Sequence, residues 1–207
     1  LYHYKSIKDN DEFCGVCGLK AYFNKSIIGS KVDYQILDTS ILDYRFKYKV
    51  EGDKADVFKT ELLKKHIYPE FDGERWCPLS LVWNRFGEKY KIRYFAEVIY
   101  FAEYLPDGIS LNRLKTRKNS PNTCLMYYAE LSSYPIPVAA KFKSSINYWR
   151  FAPYSSKPLF KKLAQIGFLK SLVTIVPGYL LYLIDNSGFL HKTFLEPNKF
   201  VLSKQKK

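Results

Sequence analysis

The segment GERWCPLSLVWNRFGEKY, residues 73–90, combines residue types that could belong to an active site. A charged Gly-Glu-Arg turn leads to Pro78, and proline suits the first turn of a helix. The helix that follows is amphipathic and carries Trp83 and Arg85 near its centre. A carboxylate just inside this helix would be well placed for acid–base chemistry, but the position holds Leu79. The segment therefore has the form of an active-site segment without its most useful group.

A second polar cluster, Gly52, Asp53 and Lys54, follows a predicted strand at 44–50. Ligands of α/β sheets bind at strand ends, so these three residues are candidates for substrate contact. Asp53 is also suited to cap a helix over KADVFKTELLKK, and capping does not exclude contact with a substrate.

Four cysteines, Cys14, Cys17, Cys77 and Cys124, have a spacing that could form an all-cysteine zinc site. The surrounding EFCGVCGLKAYF is more typical of a buried strand, in which alternation would point Cys14 and Cys17 to opposite faces. Isolated cysteines behave as small buried hydrophobic residues. The sequence therefore favours buried thiols over zinc, and no disulfide pattern is evident, which favours a reducing compartment.

The chain of 207 residues has a globular composition, with 47% hydrophobic and 26% charged residues. Its length suits one domain with a substantial core. The net charge of +13 indicates an anionic partner, which could be nucleic acid, a membrane surface or a phosphorylated small molecule. No recognised nucleic-acid-binding motif accompanies the basic residues, so we expect no nucleic-acid partner.

Hydrophobic periodicity predicts an α/β first half and a mainly helical second half. Strands are expected near residues 13–20, 44–50 and 91–103, and helices over KADVFKTELLKK and from Pro78 to about residue 90. After about residue 111, PNTCLMYYAELSS and PVAAKFKSSINYWRFAPY predict helices that each begin at a proline.

The segment from Leu131 to Ile184 contains no acidic residue, and its basic residues are Lys141, Lys143, Arg150, Lys157, Lys161, Lys162 and Lys170. Aromatic side chains are interleaved with these cations. We expect the stretch 141–184 to bind an anionic membrane surface peripherally, because this composition is typical of interfacial segments. Lys170 and Pro177-Gly178 are expected to interrupt it before the roughly 20 apolar residues that span a bilayer. The alternative is that the aromatics form core and the lysines a solvated face.

Several segments, taken in order, resemble the C-terminal two-thirds of bacterial family 2 glycosyltransferases. They are FCGVCGL, IIG, YKVEGDKADVFKTELLKK, YPEFDGERW, LVWNRFGEKYKIRYFAEVIYFAEYLPDGIS, INYWRFA and PGYLLYLID. GDK, GER, VWNR and EYLPDGIS are the most specific of these motifs, and the resemblance covers nearly the whole chain.

This resemblance implies a GT-A fold, in which a Rossmann-like α/β sheet binds a nucleotide-diphosphate sugar and the enzyme transfers the sugar to an acceptor. Residues 1–110 would be the C-terminal part of the catalytic domain, and residues 111–207 a helical, basic, membrane-associated region. Family members use glycan or lipid-linked acceptors to build capsule, O-antigen or exopolysaccharide at the cytoplasmic face of the inner membrane. The cofactor expected for the full-length family is a divalent metal, Mn or Mg.

Two departures from the family pattern stand out. The Asp-x-Asp motif that holds the metal on the donor diphosphate would fall just before Leu1, so we expect the metal ligands and nucleotide pocket to lie outside this chain. The family's general-base carboxylate would fall at Leu79, and leucine cannot accept a proton. We therefore expect this chain alone to transfer little or no sugar, and a missing N-terminal half or an oligomer could complete it.

Against this background, Glu74 is the nearest remaining carboxylate and the candidate catalytic base or acceptor ligand. The alternative for Glu74 is a surface ion pair with Arg75, a kind of pair that contributes little to stability. The candidate substrate-binding residues are Gly52, Asp53, Lys54, Arg75, Trp83, Arg85, Asp107 and Gly108. Trp83 and Arg85 also suit packing, and the Asp107-Gly108 turn has a purely conformational alternative.

Three functions from different classes follow. The first is a glycosyltransferase, cytoplasmic or peripheral at the inner face of the cell membrane. The second is a non-catalytic remnant that binds an acceptor, a membrane or a partner enzyme. The third, a nucleic-acid binder, has only the net charge in its favour.

Overall fold

The computed structural model describes residues 1–105, 108 and 112–187. Across these residues the chain is α/β, with one four-stranded mixed sheet and nine α-helices. The strands are β1 (Phe13–Ala21), β2 (Ile36–Ser40), β3 (Lys54–Phe58) and β4 (Lys91–Phe101). The helices are α1 (Tyr2–Lys5), α2 (Ile41–Phe46), α3 (Thr60–Lys65), α4 (Leu79–Gly87), α5 (Arg113–Lys118), α6 (Pro121–Ser133), α7 (Val138–Phe151), α8 (Leu159–Ile166) and α9 (Phe168–Asn186).

The sheet has the strand order β2-β4-β1-β3, with β1 parallel to β4 and both outer strands antiparallel to their neighbours. β1 is central and almost entirely buried, which explains its continuous apolar sequence. The predicted strands near 13–20 and 91–103 are therefore confirmed.

The predicted strand at 44–50 is wrong, because most of this segment belongs to α2 and the turn after it. The Ser40 hydroxyl oxygen caps α2 by accepting a hydrogen bond from the Asp43 amide at 3.0 Å. Ile41, Leu42 and Tyr44 are then buried at helical spacing. The predicted strand began at Tyr44, within this helix, and so divided the pattern.

The predicted helix over KADVFKTELLKK is correct only in its second half. Its first half is β3, which pairs antiparallel with β1, and α3 begins at Thr60. Asp53 consequently lies before a strand and caps no helix. ADVF contains β-branched and aromatic residues, which favour a strand. The edge of β1 supplies the backbone partners with which this strand pairs.

Cys14 and Cys17 do not point to opposite faces, because both pack in the same hydrophobic cluster with Tyr44 and Phe86. A shift in the pairing of β1 with β4 between Phe13 and Gly15 breaks the simple alternation. All four cysteines are free thiols, and burial raises the pKa of Cys14 to about 12.

Residues 112–187 are mainly helical, through α5–α9, as predicted, and their core contains Cys124, Leu125, Tyr148 and Phe151. The expected interruption at Pro177-Gly178 is absent, since α9 continues through Pro177. Within the described part of the chain, α9 is the one helix whose length and composition would suffice to cross a membrane, with 19 residues and a mean hydropathy of 1.4.

Candidate functional site

A cavity of about 600 Å³ opens between one end of the sheet and the helices α2, α4, α5 and α6. Charged and aromatic side chains dominate its wall, which is formed in part by Lys20, Arg45, Asp53, Lys54, Asp56, Trp83, Tyr94, Arg113 and Tyr127. We call this space the sheet cavity. It brings together Gly52, Asp53, Lys54 and Trp83 from the predicted site, together with Leu79.

Gly52 lies where two loops cross at very close range. It has a φ of +81°, and Gly29 in the facing loop has a φ of +83°. A Cβ on Gly29 would lie 2.6 Å from the Gly52 Cα, so a side chain would separate the loops. The Gly52 carbonyl oxygen accepts a hydrogen bond from Arg45 Nη1 at 2.8 Å. Gly52 therefore shapes the rim of the sheet cavity.

Asp53 and Lys54 differ in how available they are to a ligand. One oxygen of the exposed Asp53 carboxylate accepts a hydrogen bond from the Tyr104 hydroxyl at 2.6 Å. Lys54 is 3% exposed, and its ammonium donates to the carbonyl oxygens of Ile28, Ser30 and Glu51 at 3.2–3.3 Å. Burial lowers the pKa of Lys54. Lys54 thus braces the loops of the rim, whereas Asp53 is an exposed residue of the cavity wall.

Asp56 was missed by the sequence analysis. Because β3 was interpreted as a helix, the period-two relation that puts Lys54 and Asp56 on one face was lost. Burial raises the pKa of the Asp56 carboxyl, against the opposing effects of the Cys17 thiol and the Arg45 guanidinium. A half-buried carboxylate that titrates above its ordinary range in a cavity is a candidate proton acceptor or hydrogen-bond partner.

Arg45, Lys20 and Arg113 were also missed, although each contributes a cation to the wall. The signal for Arg45 was hidden by the incorrect strand at 44–50. Arg45 and Arg113 come from helices, and Lys20 comes from β1, so only the folded topology brings them together.

Trp83 and Leu79 lie on α4 at the cavity wall, one turn apart. Trp83 packs against Phe58, with ring centroids 5.5 Å apart, so it serves the core and the cavity at once. Leu79 is the first residue of α4 and is 57% exposed. A carboxylate at position 79 would open onto the same space as Asp53 and Asp56.

Glu74 lies in a separate cavity formed by the loop from Tyr68 to Cys77. Its carboxylate accepts hydrogen bonds from the backbone amides of Asn122 at 2.6 Å and Thr123 at 2.9 Å, and from the Thr123 hydroxyl at 2.7 Å. Glu74 thus caps the start of α6, where the backbone amides have no partner within the helix.

Arg75 is exposed and lines the same loop cavity as Glu74. The structure therefore places both residues apart from the wall of the sheet cavity.

Two further candidates also lie away from the cavity wall. The Arg85 guanidinium forms two hydrogen bonds to Glu130, at 2.9 and 2.7 Å, which hold α4 against α6. The amide of Gly108 donates to the Leu105 carbonyl at 3.0 Å. Asp107 lies outside the described residues.

The sheet cavity is poorly suited to a divalent cation. Its two carboxylates, Asp53 and Asp56, share the wall with four cationic side chains. Among the residues that the structure describes, no three His, Cys, Asp or Glu side chains are grouped as metal ligands. The Mn or Mg expected from the resemblance therefore has no fitting site here.

No family model, curated protein or solved structure matches this chain.

Proposed function

We propose that this chain binds a carbohydrate in the sheet cavity, as the acceptor-binding part of a glycosyltransferase. The reaction class is transfer of a sugar from a nucleotide-diphosphate sugar to a glycan or lipid-linked acceptor of a surface polysaccharide. This rests on the resemblance in GDK, GER, VWNR and EYLPDGIS. A divalent metal belongs to that reaction in the family, but the cavity residues described here do not supply its ligands.

The observation that carries the proposal is the composition of the cavity wall. Asp53 and Asp56 can accept hydrogen bonds from sugar hydroxyls, Arg45 and Arg113 carry donors, and Trp83 offers an aromatic surface. A volume of about 600 Å³ is in the range of small-ligand sites, which are roughly 300–1,000 Å³. The combination of hydrogen-bond donors, acceptors and an indole suits a polyhydroxylated ligand.

A second candidate function is a non-catalytic carbohydrate-binding module, and Leu79 favours it. Leu79 opens onto the sheet cavity where the resemblance puts a base, and Glu74 is engaged at α6. Binding without turnover would distinguish this module from an enzyme.

The test is saturation-transfer NMR with neutral oligosaccharides, nucleoside diphosphates and nucleotide sugars. We expect saccharide binding that Asp53→Asn and Trp83→Phe both weaken. Asp33→Asn and Trp76→Phe are matched controls, because neither residue lines the sheet cavity, and both should bind normally. Equal saccharide binding by all four variants would show that the binding site is not the sheet cavity. No saccharide binding at all would refute the proposal.

A further inference from the structure

The helix α9 has its apolar face outside and its small polar face inside. The residues that it buries are Ser171, Thr174 and Gly178. The opposite face exposes large apolar side chains by 47–79%, among them Leu169, Leu172, Val173, Val176, Leu180 and Leu183. In a helix that contacts only water and its own protein, the apolar stripe faces the core. The outer face of α9 therefore belongs against something apolar.

The inner face of α9 fits closely on α7. A Cβ on Gly178 would lie 2.7 Å from the Ile146 carbonyl oxygen and 3.1 Å from the Arg150 amide nitrogen. The hydroxyls of Ser171 and Thr174 donate within the helix, to Gly167 and Lys170. The buried face is thus fully satisfied and closely packed, and rotation of α9 to hide its apolar face would break this fit.

Both ends of α9 are tied to the rest of the protein. Near its start, Lys170 Nζ donates to the Ser132 hydroxyl at 3.0 Å. Near its end, Arg150 donates to both oxygens of Asp185, at 2.6 and 2.7 Å. A helix tied near both ends and packed on α7 keeps one face against the protein, and its apolar face is open on the other side.

The apolar surface continues on both sides of α9. Leu159 of α8 and Tyr179 of α9 line one shallow groove, and Phe142 of α7 and Val173 of α9 line another. The first groove is also lined by Trp149, whose buried Nε1 donates to no acceptor among the described residues.

The charge around this surface selects the kind of partner. From residue 131 to residue 187 the single acidic residue is Asp185, and its side chain is 1% exposed and paired with Arg150. Lys143 and Lys161 are exposed on the neighbouring helices α7 and α8. A second copy of this face would bring like charges together, whereas anionic lipid headgroups complement them.

From these observations we infer that α8, α9 and the start of α7 form a bilayer-binding surface, with α9 lying in the plane of an anionic membrane. The apolar face enters the interface between headgroups and acyl chains, and the lysines contact headgroups. This inference is independent of the carbohydrate proposal, because it uses no residue of the sheet cavity.

The first test is co-sedimentation of the full chain with phosphatidylglycerol-rich and with neutral vesicles. We expect strong binding to the anionic vesicles that weakens, without disappearing, at high salt. Leu172→Asp and Val176→Asp should each reduce the partition coefficient by at least about tenfold, because each puts a charge into the apolar contact. Ile67→Asp is the matched control, since Ile67 is 77% exposed away from this surface and should not matter.

The second test measures depth, by quenching of introduced tryptophans with brominated lipids. Leu169→Trp, Val176→Trp and Leu183→Trp should lie at one shallow depth, after subtraction of the signal of the unsubstituted protein. A much deeper position for residue 176 would indicate a spanning helix and overturn the inference. Equal vesicle binding by Val176→Asp and Ile67→Asp would also overturn the inference, as would no binding of the protein to any vesicle. A third contrary result would be that Val176→Asp abolishes self-association of the protein and leaves vesicle binding unchanged.

Discussion

Gly29 and Gly52 are in direct contact across two loops, and both adopt a left-handed backbone conformation. A Cβ on either residue would enter the other loop, whereas a Cβ on Gly73, with a φ of +76°, would meet nothing within 4 Å. Gly52 and Gly73 therefore both have a positive φ that favours glycine, but only Gly52 is closely packed against another loop.

We predict that Gly52→Ala destabilises the protein more than Gly73→Ala. In both variants, alanine in a left-handed conformation costs about 1–2 kcal/mol of stability. Only Gly52→Ala also separates the loops at the rim of the sheet cavity. Chemical denaturation of the two variants measures the difference. Equal losses of stability would show that the loops separate freely.

Glu74 should behave as a helix cap. We expect Glu74→Ala to lower the free energy of unfolding by about 1–3 kcal/mol, since it leaves two α6 amides without an acceptor. Glu70→Ala is the control, because Glu70 is an exposed carboxylate in the same loop. If saccharide binding or turnover fell in Glu74→Ala with stability unchanged, Glu74 would be a site residue instead.

Asp56 should make stability depend on pH. Burial raises the folded-state pKa of Asp56. Between the unfolded-state and the folded-state pKa, the folded protein therefore keeps a proton on Asp56 that the unfolded chain has lost. Stability from this group is present below the ordinary aspartate pKa of about 3.9 and is lost as the pH rises through the folded-state value.

It follows that Asp56→Asn should stabilise the protein at neutral pH and lose this advantage near about pH 4. Denaturation curves at several pH values measure this. The control is Asp33→Asn, in which an exposed carboxylate is neutralised. A stabilisation of Asp56→Asn that does not change with pH would rule out titration of Asp56 as its cause.

We predict little or no sugar transfer by this chain when it is incubated with a panel of nucleotide sugars and manganese. Leu79 cannot accept a proton, and the Glu74 carboxylate is engaged at the start of α6. Release of nucleoside diphosphate is the measurement. Rapid release that survives in Leu79→Ala and stops in Asp56→Asn would assign the base to Asp56 and contradict this prediction.

The sequence predicted the elements that periodicity determines and failed where tertiary pairing decides. β1, β4 and the helices from α6 onward follow from long apolar or amphipathic runs. The residues 44–58 were assigned in reverse, with a strand for α2 and a helix for β3, because five- and six-residue elements carry too few periods to tell the two apart. Pairing with β1 stabilises residues 54–58 as the strand β3, and the Ser40 cap stabilises α2 as a helix.

The candidate site followed the same division. Asp53 and Trp83, two of the predicted substrate-binding residues, both line the sheet cavity. Each follows a turn signal in the sequence, Gly52 before Asp53 and Pro78 before the helix that carries Trp83. Asp56 and Arg45 could not be found from a misassigned segment, and Lys20 and Arg113 meet only in the folded chain. Glu74 was a candidate base because it lies shortly before α4 in the sequence. Its carboxylate instead accepts hydrogen bonds from α6, and the sequence does not reveal this contact because the two segments are far apart along the chain.

The parallel pairing of β1 with β4 also has a consequence for how the protein is made. Phe13 pairs with Lys91, so the sheet cannot close until the ribosome has released residue 91 and those that follow. Pairings so distant in sequence form slowly, because the intervening chain must first lose its freedom. Until then FCGVCGL can pair with β3 on one side, but its β4 edge stays open, which invites aggregation of the nascent chain. The strand that the folded sheet buries almost completely is thus an aggregation-prone segment of the nascent chain.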